Sequence, residues 1–296
     1  MPEDLPLLTP GVIAAASVEL AFMLAGAFLI WRCWFSAAAR AARAQSARLP
    51  TWDLPAFPFM GLVASVLVGG LIGQMLVVKL GELLIPGLKR SDDLWLMLAG
   101  AGFQLGMLGC ALGGYRYTKQ LVPRASAAAI ADTAAMDSAS RGTRLPRPIM
   151  GLATFLCALP VLAVINLPWT SALERFGFST ESQEMVDLLL HPESPATVVI
   201  MIVLAVVVAP VTEELIFRAG LFRYLRTRLP RAWALALPAI VFGALHGNYV
   251  AFLPLVAFGV ILSLAYERTG SILVPMVAHS LFNLNTILLV IAGVSA

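Results

Sequence analysis

The chain has 296 residues, of which 59% are hydrophobic and 12% charged, with a mean hydropathy of +0.86. Soluble domains carry about 25% charged residues, so this chain cannot cover a globule of its size with a solvated surface. A soluble enzyme, a disordered protein and an ordinary nucleic-acid binder are excluded, the net charge of +3 is too small to argue for a polyanionic partner, and the composition places the chain in a lipid bilayer.

The first ten residues, MPEDLPLLTP, are acidic rather than basic. The apolar stretch after them is long enough to span, so it reads as a first membrane helix and not as a signal peptide. Apolar runs near the 20 residues that a bilayer needs fall at 11–31, 57–78, 94–114, 149–167, 196–220, 233–247, 250–266 and 271–293. The expected fold is therefore all-α, a polytopic membrane bundle of about eight transmembrane helices. The sixth and seventh runs are short and nearly fused, and could form a hairpin that stops before the far surface. Helix 1 contains one acid, Glu19, with no obvious partner. Helices 2 and 3 are rich in Gly (GLVASVLVGGLIG, LAGAGFQLGMLGCALGG), which favours close packing in lipid.

The connections carry a charge pattern. Segment 32–56 holds Arg32, Arg40, Arg43 and Arg48 against one Asp. Segment 115–148 holds Arg116, Lys119, Arg124, Arg141, Arg144 and Arg147 against two Asp. Segment 221–232 holds Arg223, Arg226, Arg228 and Arg231 and no acid. Segment 168–195 instead holds Glu174, Glu181, Glu184, Asp187 and Glu193 against one Arg. Basic loops mark the cytoplasmic side, so both termini are expected outside. The low-complexity third connection divides the chain into an N-terminal three-helix region (1–114), a basic cytoplasmic linker (115–148) and a C-terminal helix bundle (149–296). Cys33, Cys110 and Cys157 sit isolated in apolar runs without CxxC spacing, and read as small hydrophobes.

Ionisable groups inside a spanning helix cost about 2.5–3.5 kcal/mol each at the bilayer centre and demand a reason. Three sets occur in the C-terminal half. The first is Glu213-Glu214-Leu215-Ile216-Phe217-Arg218. Adjacent helical residues point about 100° apart, so the two glutamates face different ways. Glu214 and Arg218, at i and i+4 with the acid first, form a favourable pair, which leaves Glu213 available for chemistry. Ordinary surface charges at a helix end would look the same. The second is Phe242-Gly243-Ala244-Leu245-His246, where a lone histidine could equally be a core residue. The third is His279-Ser280-Leu281-Phe282-Asn283. Here His279 and Asn283 share a helix face, as interhelical glue or as donors to a substrate carbonyl, while Asn285 points elsewhere. With a rise of 1.5 Å per residue, Glu213, His246, His279 and Asn283 fall about 12–20 Å inside the bilayer, and that common depth argues that they belong together.

A carboxylate and an imidazole in a partly dry cavity can hold and deprotonate a water, and a second imidazole with an amide can stabilise an oxyanion. Those are the parts of amide hydrolysis without a covalent intermediate. No HExxH helix is present. Zinc held by Glu213, His246 and His279 with an open position for water stays open as the alternative to a cofactor-free site. His191, in the acidic HPESP stretch, reads as a loop residue. Intramembrane Glu and His also serve proton relays, so a proton-coupled transporter is the competing class, followed by a non-catalytic immunity or scaffold protein.

EExxxR, FxxxH and HxxxN, in this order on successive helices, resemble the CPBP (CAAX protease and bacteriocin-processing, or Abi) family of intramembrane endopeptidases, which includes the type II CAAX prenyl endopeptidases. The resemblance covers about 150–293 and leaves out the first three helices. It implies an eight-helix membrane fold, described in the family both as metallo- and as glutamic-type. Glu213 would be the base that activates water, His246 its partner, and His279 with Asn283 the oxyanion-stabilising pair. Glu214, Arg218 and Phe242 would be supporting motif residues. The substrate implied is a peptide or membrane-anchored protein. Seventeen of the 20 basic residues are Arg and Ala is abundant, a bias that points to a bacterial cytoplasmic membrane.

Overall fold

The computed structural model describes residues 9–32, 49, 52, 54–90, 92–121, 145–178, 189–190 and 194–294. Cys33, His191 and, of the connections, Arg40, Arg43, Arg48, Arg124, Arg141, Arg144, Glu181, Glu184, Asp187 and Glu193 lie outside the described residues.

Among the described residues the regular structure is helical, without strands. In chain order the helices are α1 (Pro10–Ile30), α2 (Ala56–Leu84), α3 (Asp93–Leu121), α4 (Arg147–Arg175), α5 (Pro195–Arg226), α6 (Arg231–Leu245), α7 (Tyr249–Thr269) and α8 (Leu273–Ile291). The eight expected runs are thus eight helices, and the protein is an integral membrane helix bundle. Seven of them are long and apolar enough to cross a membrane. The exception is α6, whose 15 residues reach about 22 Å at 1.5 Å per residue. Its neighbour α7 has 21 residues and is not the short partner of a hairpin that the apolar run 250–266 implied. Both α2 and α3 have 29 residues and outrun their apolar stretches, carried on by the Leu and Glu of LGELL and the Arg, Lys, Gln and Leu of YRYTKQL, which favour helix.

Local chemistry sets the boundaries. Thr9 caps α1 by accepting the Val12 N–H at 3.3 Å, with Pro10 at the first helical position. Ser194 and Pro195 repeat that arrangement at α5. Both match the preference for Ser/Thr at the N-cap and Pro just inside. Asn248 caps α7 by accepting from Val250 and Ala251 N–H at 2.8 and 3.2 Å. Gly270, with φ +66, supplies the left-handed residue that ends it.

Packing in lipid depends on close approach. A Cβ added at Gly106 of α3 would lie 2.0 Å from the Gly69 carbonyl oxygen of α2, and one at Gly73 would lie 2.3 Å from that of Gly102. The α2–α3 hairpin therefore closes backbone to backbone. In the same way α1 meets α4, where a Cβ at Gly26 would come 1.9 Å from the Leu156 carbonyl oxygen. The central core unites α4 (Phe155, Leu159, Leu162), α5 (Phe217), α6 (Phe242), α7 (Phe258, Leu262) and α8 (Ala278). At one end, Glu267 of α7 holds Arg226 of α5 at 2.8 Å and Arg231 of α6 at 2.7 Å. Beside them Arg228 lies 3.8 Å over the Tyr224 ring, Tyr224 stacks on Phe59 at 3.6 Å, and Arg228 donates to the carbonyls of Trp52 and Leu54. These contacts tie the entry of α2 to the end of α5.

Gly106→Leu should lower the thermal unfolding midpoint in detergent, by an amount equivalent to about 1–3 kcal/mol of overpacking. Gly113→Leu, where an added Cβ meets nothing within 4 Å, should leave it unchanged.

Candidate active site

The polar residues of the C-terminal half meet around α5, and α5 is itself irregular there. It contains two π-helical stretches, Leu204–Val208 and Leu215–Phe222, on either side of Ala209–Glu214. The cause of the first is Pro210. In a regular helix its ring would collide with the carbonyl four residues back, and it brings no N–H. The chain widens instead, and the Ala209 N–H bonds the Leu204 carbonyl five residues back, as a π-turn requires. The Ala205 carbonyl then faces Pro210 at i+5 and has no donor from its own helix. Asn283 of α8 fills the vacancy, donating from Nδ2 to the Ala205 carbonyl at 2.7 Å. One amide thereby repairs the helix that carries the two glutamates and fixes α8 against it.

Glu214 and Arg218 pair as their spacing implied, with Arg218 Nη1 2.8 Å from Glu214 Oε1. Their side chains are 0% and 1% exposed. Arg218 also donates to the Gly259 carbonyl at 3.2 Å, and its guanidinium lies 4.6 Å above the Phe242 ring, a desolvated cation–π contact. Gly259 has no side chain for a reason: a Cβ there would press on Arg218 and Ala239.

Sequence reading did not foresee the second partner of Glu214. His279 Nδ1 is 2.8 Å from Glu214 Oε1. A carboxylate accepts, so Nδ1 carries the proton and donates. The other ring nitrogen, Nε2, stands 3.8 Å from Glu213 Oε2. The two glutamates do point apart, and they still reach one imidazole from its two sides. The partner of Glu213 is therefore non-local, which helical spacing within EExxxR could not show. Glu213 is 16% exposed and His279 3%, so of the two carboxylates and the imidazole between them Glu213 is on the open side.

His246 closes α6. Its Nδ1 lies 2.8 Å from the Phe242 carbonyl. A carbonyl can only accept, so Nδ1 is the donor and Nε2 keeps its lone pair. His246 joins the cluster through Phe242, whose ring meets the His246 ring edge-on at 4.8 Å and the His279 ring at 5.7 Å. Phe258 completes the wall at 5.5 Å from His279. The structure thus brings Glu213, Glu214, Arg218, Phe242, His246 and His279 into one contiguous cluster, with Asn283 one turn along α8. Among the described residues, no three His, Cys, Asp or Glu side chains converge on a point where they could hold a metal ion. The donor set Glu213, His246 and His279 does not converge on one point as placed.

The arrangement can hold a water beside Glu213. At 3.8 Å, Glu213 and His279 are beyond direct hydrogen bonding and within reach of one bridging water. Arg218→Met should strip the buried Glu214 of its cation. Removing one partner of a buried pair costs about 3–5 kcal/mol, so the variant should lose most of its folded population in a detergent unfolding assay. Arg218→Lys should retain part of it.

Residues 195–285 match the family model described as type II CAAX prenyl endopeptidase Rce1-like. A stretch of 108 residues is 31% identical to the protein named "Putative membrane peptidase YdiL" of Bacillus subtilis (strain 168), covering 36% of this chain and 43% of that protein. The match thus spans less than half of that relative's length. No solved structure matches the chain. The stretch 195–285 contains EExxxR, FxxxH and HxxxN whole, so the part of the chain that is similar to Rce1-like endopeptidases is the part that carries the polar cluster.

Proposed function

We propose that the protein is an intramembrane endopeptidase of the glutamic type, hydrolysing a peptide bond of a membrane-associated peptide or protein with an activated water. The observation that carries this reading is the single imidazole of His279 held between two carboxylates, 2.8 Å from Glu214 and 3.8 Å from Glu213, within a stretch similar to Rce1-like endopeptidases.

Each side chain then has a task set by its hydrogen bonds. Glu213 accepts a proton from the attacking water. His246, whose Nδ1–H is committed to the Phe242 carbonyl, offers the Nε2 lone pair to the same water and orients it. The water oxygen attacks the scissile carbonyl carbon. As charge develops on the carbonyl oxygen, protonated His279 donates from Nε2 while Nδ1 stays bonded to Glu214. Asn283 has two N–H groups on its amide. One is bound to the Ala205 carbonyl and fixes the amide, and the other is free for the oxyanion. Glu213 passes its proton to the leaving nitrogen as the C–N bond breaks. Donors held in advance, in a site shielded from water, stabilise a developing charge without reorganising. In this reading the basic end of α5–α7 faces the cytoplasm, both termini lie outside, and the membrane is the cytoplasmic membrane of a bacterium.

Glu213→Gln should lower hydrolysis of an internally quenched peptide in proteoliposomes by about 10²-fold or more, the usual worth of a general base, with the thermal unfolding midpoint unchanged. Wild-type rates in Glu213→Gln would remove the mechanism. A chelator such as 1,10-phenanthroline should leave the rate of the wild-type protein unaltered, whereas rapid loss restored by added zinc would replace Glu213 as base with a metal.

A further inference from the structure

Glu19 lies outside both the motif set and the matched stretch 195–285. Glu19 is the sole charged residue of α1, at its middle, where a carboxylate is costly and calls for a function. The structure gives it a partner. Asn285 Nδ2 of α8 donates to Glu19 Oε2 at 3.0 Å. Asn285 is two residues beyond Asn283, about 200° around the helix, so the two amides leave opposite faces of α8. Asn283 reaches the Ala205 carbonyl of α5, and Asn285 reaches Glu19 of α1. The helix that carries His279 is thus hydrogen-bonded from both sides at one level of the membrane.

Two further contacts fix α1 as the outer jaw of this clamp. Val12 lies beside Gly293, just past the end of α8. One turn beyond Glu19, Phe22 meets Phe155 edge-on at 6.1 Å, and Phe22 and Met23 pack on the core cluster that contains Phe217, Phe242 and Ala278. α8 packs on α4, α5 and α7, and the Asn285–Glu19 bond adds a polar contact to α1 on the side away from α5. A rotation that broke the Asn285 bond would swing His279 away from Glu214 and Glu213.

We infer that Glu19 is a positioning residue for the proposed hydrolysis: through Asn285 it sets the rotation of α8 and so the placement of His279 and Asn283. The inference rests on the peptidase reading, and its test separates the two. The chain has three histidines, His191, His246 and His279, so selective 15N-histidine labelling in lipid gives a small set of ring resonances, with His279 assigned by His279→Gln. Glu19→Leu should lower kcat about tenfold with KM unchanged and should shift the His279 ring resonances. Asn285→Leu should do the same, and the double variant should lose no more than either single one. Glu19→Gln keeps an acceptor and should restore both turnover and the wild-type resonances. Wild-type kcat and unshifted His279 resonances in Glu19→Leu would overturn the inference. A lowered unfolding midpoint with reduced turnover but unshifted resonances would overturn it too, since that marks plain loss of stability. If the wild-type protein hydrolyses no peptide, the peptidase reading fails, and the resonances still decide whether Glu19 sets α8.

Discussion

Arg218 and Glu214 form a fully enclosed ion pair inside a protein made for lipid, and much of the C-terminal bundle is arranged to make that pair tolerable. Removing two charges from water is expensive unless the remaining donors and acceptors are answered. Arg218 is answered by Glu214, by the Gly259 carbonyl and by the face of Phe242, while its Nε has no hydrogen-bond partner among the described residues. Glu214 is answered at Oε1, by Arg218 and by Nδ1 of His279, while Oε2 has no partner among the described residues. These contacts draw α6, α7 and α8 to the pair on α5, one group from each. Replacing a buried pair by apolar residues of similar volume is often neutral or stabilising; what this pair makes is a set of contacts among four helices. Glu213 and His246 then need only their own helices to be in place.

The irregularity of α5 follows the same logic. A proline in the middle of a membrane helix leaves a carbonyl without a donor, and in hydrocarbon no water can serve it. The Ala205 carbonyl is such a group, and an amide from α8 serves it. The defect adds to the α5–α8 contact, since Asn283 serves a carbonyl that has no donor within its own helix.

The sequence disclosed the helices and the motif set because both signals are local. Apolar runs of bilayer length mark helices, and i, i+4 spacing marks shared faces, as with Glu214 and Arg218. It did not disclose contacts between distant helices. His279 resembled a donor aimed at substrate, and its Nδ1 bond to Glu214 depends on how α8 sits against α5. Glu19 had no visible partner, because Asn285 is 266 positions away and looked like a residue facing elsewhere. It does face elsewhere, toward α1. The one legible hint of the Asn283–Ala205 bond was Pro210, whose missing N–H announces a vacancy upstream without saying who fills it. The shortness of α6 was legible as a short apolar run. The full length of α7 was not, since its last turn, YERT, is polar and paired through Glu267 to two arginines.

The shortness of α6 bears on the lipid as well as on the protein. A hydrocarbon core is about 30 Å thick, and α6 stops about 8 Å short of that at 1.5 Å per residue, ending at His246 and a turn of two residues. Protein meets the chain just beyond that tip: Trp169 Nε1 of α4 donates to the Tyr249 carbonyl at 3.0 Å, and Phe178 lies against the Tyr249 ring at 5.5 Å. The exposed His246 thus stands where a short helix ends beside aromatic side chains of its neighbours, and a helix shorter than the hydrocarbon is the kind of element around which a bilayer thins.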